Sequence, residues 1–275
     1  MESLVSIELV NDCIADVRLN RPQKYNALSP AMFQSLVEAG ESLMSRTDVR
    51  AVVLSGNGRG FCAGLDMGSF SNMAEGPRRS RGETEAGFAS QDDRPENAAQ
   101  RAAYIWKKLP MPVIAALHGV AYGGGCQIAL AADIRFAAPE AKLSVLEIKW
   151  GLIPDMSLTQ TLRDLVPMDV AKELTFTGRM LSADQAHKLG LVTHVVDDPH
   201  AAALELAQEI AAKSPDAIRA GKLLWERAWH GDERTGLGLE ARLQGTLIGS
   251  PNQVEAIKAN MEQRTPAFKD VAEGN

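Results

Sequence analysis

Three consecutive glycines, Gly123-Gly124-Gly125, lie between the apolar runs 112–117 and 128–132. A strand or loop end that turns into a helix through such a stretch has no side chain at the turn. Bare N–H groups then face outward at the positive end of the helix, where an anion or an oxygen gaining charge can bind them. A second turn of this kind, Gly56-Asn57-Gly58-Arg59-Gly60-Phe61-Cys62-Ala63-Gly64-Leu65-Asp66, follows directly on the apolar strand 49–54. Two strand-to-helix units could therefore aim one backbone N–H each at a single point, which is the arrangement of an oxyanion hole. Glycine clusters occur in the turns of any α/β protein, so it is the pair that carries the weight.

The rest of the chain supplies the frame for these turns. Near-alternation over 5–19 around Asn11-Asp12 predicts a β-hairpin. Ser29-Pro30 predicts a capped helix start, with Met32, Leu36, Ala39 and Leu43 on one face. The β-branched run 49–54 predicts a buried strand. From Gly68 to about Glu96 the pattern breaks down and predicts a long loop, either a solvated insertion or a lid over a pocket; Arg78-Arg79-Ser80-Arg81 lies in its middle. A helix over 99–109, strands over 113–116, 133–137 and 191–196, and helices over 158–165 and 170–174 follow. Ser182-Ala183-Asp184-Gln185 is a capping box. Amphipathic helices are expected over 201–212, 215–229, 237–248 and 251–263.

One carboxylate stands out. Glu147, in Leu146-Glu147-Ile148-Lys149-Trp150-Gly151-Leu152-Ile153-Pro154-Asp155, sits between apolar residues, where burial raises a carboxyl pKa and suits it to exchanging protons. A structural ion pair with Lys149 or an arginine is the other reading. His118 and Trp150 read as structural, and Asp133 as a helix-end or turn residue.

Composition sets outer bounds. A chain of 275 residues, 45% hydrophobic and 23% charged, can bury a substantial core. A net charge of −6 argues against a nucleic-acid partner. Cys13, Cys62 and Cys126 show no CxxC spacing, so neither a disulfide framework nor a zinc site is expected, and no metal. The first residues carry no basic and apolar leader, and the apolar stretch 113–137 is interrupted by His118, Gln127, Asp133 and Arg135, so a cytoplasmic protein that does not enter a membrane is expected.

Phe61-Cys62-Ala63-Gly64-Leu65-Asp66 and Gly123-Gly124-Gly125-Cys126-Gln127 resemble the two signatures of the crotonase, or enoyl-CoA hydratase/isomerase, superfamily. The likeness runs from Arg21-Pro22-Gln23-Lys24-Tyr25-Asn26-Ala27-Leu28 to Gln263-Arg264-Thr265-Pro266-Ala267-Phe268. It implies an α/β fold, a spiral of repeated ββα units over 1–197, followed over 198–275 by a C-terminal helical section that builds a trimer or a dimer of trimers. It implies an acyl-CoA substrate, coenzyme A entering with that substrate rather than as a cofactor, an oxyanion hole at Leu65 and Gly124, and substrate contacts at Lys24, Ala27, Ala63, Asp66 and Gly123. Glu147 falls at the family's proton-transferring glutamate.

Two departures bear on the reaction. Hydratases of the family hold water between two glutamates, and Gln127 stands where the second would be; glutamine orients a water but cannot take its proton. Asp155, eight residues after Glu147, matches an aspartate of the Δ3,5-Δ2,4-dienoyl-CoA isomerases, which also carry an aspartate at the Gln127 position. Glu147, Asp155 and Gln127 are thus the candidate catalytic set, with double-bond isomerisation favoured over hydration. A catalytically silent acyl-CoA-binding protein is a third reading. A dinucleotide fold is disfavoured because the third glycine of GxGxxG would fall on Phe61, and no GxSxG supports a serine hydrolase.

Overall fold

The computed structural model describes residues 3–75 and 94–272. A hairpin, β1 (Val5–Val10) and β2 (Ile14–Leu19), opens the chain, turning through Asn11 and Asp12 with both at positive φ. Helix α1 (Pro30–Met44) starts at Ser29, whose side chain accepts from the Met32 N–H, a cap that contributes about 1 kcal/mol. Strand β3 (Ala51–Gly56) is buried along its whole length, as a parallel strand covered on both faces must be.

The next elements are α2 (Met67–Ala74), α3 (Ala98–Lys108), β4 (Val113–Leu117), β5 (Val120–Tyr122), α4 (Gly124–Leu130), β6 (Ile134–Ala137) and β7 (Lys142–Ser144). After a single tight turn over Glu147–Trp150 come α5 (Leu158–Thr161), α6 (Met168–Thr177), β8 (Leu181–Ser182), α7 (Ala183–Lys188) and β9 (His194–Val195). Four helices close the chain: α8 (Pro199–Ala211), α9 (Pro215–Ala228), α10 (Glu233–Leu247) and α11 (Pro251–Met261).

Two sheets share these strands. The larger has the order β1-β2-β3-β4-β6-β9, parallel except for the first pair; the smaller has the order β5-β7-β8. Consecutive strands leave one sheet for the other, β4 to β5, β6 to β7 and β8 to β9, which winds the chain into the expected spiral. Period-2 alternation divides the core. Val52, Leu54, Val113, Ala115 and Leu117 face α1 and α3, whereas Ala51, Val53, Ile114 and Ala116 face Ala203, Ala207 and Ala211 of α8. Those alanines, four residues apart, form a flat stripe that lets α8 lie close on the sheet. The first helix after residue 197 is therefore a layer of the core, and α9 reaches the main body as well, through Arg219 to Arg46 O at 2.6 Å and Lys222 to Met111 O at 3.1 Å.

The structure corrects several expectations. Residues 67–74 are helix rather than loop, because the Asp66 side chain caps them by accepting from the Gly68 N–H. The remainder of that segment, with Arg78 to Arg81, falls outside the described residues. The strand expected over 191–196 pairs only at His194–Val195, since Leu191 and Val192 turn into the core instead. The helix expected over 158–165 is one α-helical turn followed by a tighter one at Leu162–Asp164.

Candidate active site

The two glycine turns meet. The Cys62 N–H donates to Val120 O at 2.9 Å and the Tyr122 N–H to Cys62 O at 2.9 Å, zipping the first turn onto β5 immediately before Gly123. Gly64, at φ +85°, lies so near Tyr122 that a Cβ would sit 2.6 Å from its carbonyl oxygen, so only glycine fits there. One residue on, Leu28 N–H donates to Gly64 O and Asp66 N–H to Leu28 O, at 2.8 and 3.1 Å. In this parallel pairing Leu28 takes both bonds, and the N–H of Leu65 itself turns away from it.

On the other side, the first bond within α4 runs from Gln127 N–H to Gly123 O at 3.0 Å. The N–H of Gly124, three positions earlier, therefore has no carbonyl within the helix. The Leu28 side chain lies against Gly124, its Cδ1 being 2.7 Å from where a Cβ would stand. Leu28 thus touches both turns, the one that carries Leu65 and the one that carries Gly124. Gly123 is itself pinned by its N–H to Ser144 O at 2.9 Å, at φ +52°.

Glu147 opens the tight turn at the edge of the same glycines. A Cβ on Gly123 would come 3.3 Å from Glu147 Oε1. That oxygen accepts from Gln127 Nε2 at 2.6 Å, whereas Oε2 is buried without a hydrogen-bond partner. Burial pushes the Glu147 carboxyl above the usual carboxylate range and the charge of Asp155 adds to the push; the Gln127 donor works against it. Partial burial also raises the Asp155 carboxyl, but its side chain is exposed, and water moderates the effect. The alternative reading, an ion pair between Lys149 and Glu147, is not formed: the Lys149 ammonium lies over the Trp150 ring, which stacks on Phe70 of α2 at 4.1 Å.

Other predicted residues do different work. Gln127 is wholly buried, and its Oε1 accepts from the Met156 N–H at 2.8 Å, so both ends of its amide are taken by the protein rather than offered to a water. Asp66 caps α2 and pairs with Arg21 at 2.5 Å, which holds its carboxyl below the usual range; its side chain is occupied within the fold. Lys24 is exposed nearby, close enough to lower Asp66 further. Ala27 O accepts from Arg21, and Ala63 N–H donates to Tyr25 O, so both lie on the backbone frame of the first turn. His118 bonds Gly58 O at 3.0 Å, a structural contact.

Sequence reasoning passed over Asn26. It is fully buried at φ +56°; its Oδ1 accepts from Arg21 N–H, and Asn57, Gly60 and Phe61 offer carbonyls to its Nδ2 at 2.9–3.0 Å. This side chain fixes the first glycine turn, and an asparagine before an apolar Ala-Leu pair was its only local signal. Among the described residues no group of three His, Cys, Asp or Glu side chains could hold a metal ion, and no helix is long and apolar enough to cross a membrane.

Residues 10–271 match the enoyl-CoA hydratase/isomerase family model. The chain is 35% identical over 265 residues to human enoyl-CoA hydratase domain-containing protein 2, mitochondrial, covering 93% of this chain and 85% of that one. It is 34% identical over 257 residues to mouse Delta(3,5)-Delta(2,4)-dienoyl-CoA isomerase, mitochondrial, covering 91% and 77%. A crystal structure of enoyl-CoA hydratase from Bacillus anthracis superposes with a TM-score of 0.86 at 31% identity, over 97% of this chain and 99% of that one.

Proposed function

The chain belongs to the enoyl-CoA hydratase/isomerase family, and from that premise we propose that it shifts a double bond along the acyl chain of an enoyl- or dienoyl-CoA thioester. The observation that carries this reading is the state of Glu147: one oxygen tied to Gln127 and lying beside Gly123, the other buried without a hydrogen-bond partner, with no second carboxylate at position 127.

In this reading the N–H groups of Leu65 and Gly124 bind the thioester oxygen and make the adjacent carbon acidic. Glu147 removes that carbon's proton through Oε2, and the electron pair passes into the carbonyl oxygen, giving an enolate. The electrons then return toward the far end of the extended π-system, which takes a proton while the double bond forms next to the carbonyl. Glu147 can deliver this proton to a nearby carbon of a 3-enoyl chain, and Asp155, a second carboxyl eight residues on, to the more distant carbon of a 3,5-dienoyl chain. A single oxyanion donor is worth about 2.7–4 kcal/mol of transition-state stabilisation, so two preorganised donors supply much of the acceleration. The coenzyme A portion holds the acyl chain in register.

The test is turnover of 2-enoyl-, 3-enoyl- and 3,5-dienoyl-CoA with products read by mass and ultraviolet absorbance. Conversion of the last two at unchanged mass supports isomerisation. Rapid gain of one water by the 2-enoyl substrate would make the protein a hydratase. Exposed apolar residues of the C-terminal helices, Trp225, Trp229, Ile248 and Met261, support the further proposal that copies of the chain associate there, which light scattering on the purified protein checks.

A further inference from the structure

We infer that Gln127 is a positioning residue, which locks one oxygen of Glu147, leaves Oε2 as the oxygen through which that residue exchanges protons, and excludes a water from the space between the two side chains. This inference rests on the isomerase reading and gives Gln127 a role different from the water-orienting one.

The geometry fixes the amide without ambiguity. The Met156 N–H can only donate, so the atom facing it must be the amide oxygen, and the amide nitrogen is left to face Glu147. One wholly buried side chain on α4 thereby ties together the turn that carries Glu147 and the segment that carries Asp155. Its 2.6 Å contact with Oε1 is direct, with no width for a water between. Gly123 closes the other side of Oε1, where even a Cβ would be tight. With Oε1 engaged and Oε2 unpartnered, the two oxygens of one carboxylate are made unequal.

A glutamate at position 127 would still accept from Met156 with one oxygen, and its other oxygen would meet Glu147 Oε1 at hydrogen-bond distance. Two carboxylates so placed are strongly coupled and titrate as a pair.

Few other groups bear on Glu147. Asp155 is the charge that acts on it, and the buried Cys126 thiol, pushed up to about 12, is a neutral neighbour. The Lys149 ammonium is turned onto Trp150; α2 carries no charged residue, and Asp169, Lys172 and Glu173 of α6 do not shift the Glu147 carboxyl.

The experiment compares wild type, Gln127→Met and Gln127→Glu by the pH dependence of 3-enoyl-CoA isomerisation, with kcat and KM separated. Removing a donor from a carboxylate forfeits a charge-assisted hydrogen bond, so the acid limb of Gln127→Met is expected to rise by about one to two pH units. KM should stay within about twofold, because the wholly buried Gln127 side chain has no surface to offer a substrate. Gln127→Glu, of the same shape, is expected to split the single acid limb into two. If Gln127→Met does not fold, the Gln127→Glu profile decides alone. An acid limb that stays at its wild-type position in the folded variants overturns the inference while leaving the isomerase reading intact. A wild-type protein that neither isomerises the substrate nor exchanges the α-proton of an acyl-CoA overturns both.

Discussion

Replacing Gly124 by proline removes one N–H and little else, and the structure shows why. Gly124 is the first helical residue of α4, a position where the N–H has no carbonyl to lose and where proline's φ is already correct. Its predecessor, Gly123, stands at φ 52° and ψ −121°, the mirror image of the extended region, so its ψ is far from the helical values that a following proline disfavours. The added side-chain carbon would meet Leu28 Cδ1 and Met156 Sδ, each at 2.7 Å. Both atoms belong to flexible side chains, which must move by about 0.7 Å to restore ordinary contact. Gly124→Ala carries the same Cβ and keeps the N–H, so the ratio between the two variants isolates the donor. Loss of one oxyanion donor costs about 2.7–4 kcal/mol, roughly 10²–10³ in kcat. Isomerisation of 3-enoyl-CoA should therefore fall by about that factor in Gly124→Pro relative to Gly124→Ala, with similar thermal unfolding of the two. If Gly124→Pro turned over as fast as Gly124→Ala, the assignment of this N–H to the thioester oxygen would be wrong.

Other outcomes follow from the same geometry. Glu147→Gln should lose about 10²–10⁴ of the isomerisation rate, read by steady-state turnover. Asp155→Asn should cost a comparable factor on a 3,5-dienoyl substrate and much less on a 3-enoyl one; equal losses on both would remove Asp155 from the distal proton transfer. Because the folded Glu147 carboxyl lies above its unfolded value, its contribution to stability is present at low pH and lost as pH rises through the folded value. Glu147→Gln should therefore melt higher than wild type at neutral pH, and the gap should close on acidification below the ordinary carboxylate range; melting curves at several pH values check this. Phe70→Ala removes a stacked pair worth about 0.5–1.5 kcal/mol beyond its buried area, and should speed amide exchange across Met67–Ala74.

Local signals in the chain carried a good part of this structure. Ser29, Ser182 and the prolines at 30 and 251 mark helix starts that form as expected, because caps act within one turn. The two glycine turns and Glu147 were legible because each needs a particular residue type at a particular place. What was not legible depends on distant partners. Asp66 became a cap, and so converted a polar stretch into α2, because Arg21 from the preceding segment and Gly68 both meet its carboxylate. Gln127 reads alone as a polar residue able to face water; only the turn at Glu147 and the backbone at Met156, 20 and 29 residues away, show that both ends of its amide bond to the protein. The alanines of α8 mark a close-packed face, but nothing local says that the face belongs to the sheet.

The central claim is that this site makes an enolate at the expense of a proton taken by Glu147. Incubating a saturated acyl-CoA with the protein in D2O, and following α-carbon deuterium by mass, measures that step without committing to either isomerisation or hydration. Wild type should incorporate deuterium, and Glu147→Gln should lose incorporation by about 10²–10⁴. Saturable binding of the same acyl-CoA by wild type with no incorporation, or exchange that survives in Glu147→Gln, would contradict it.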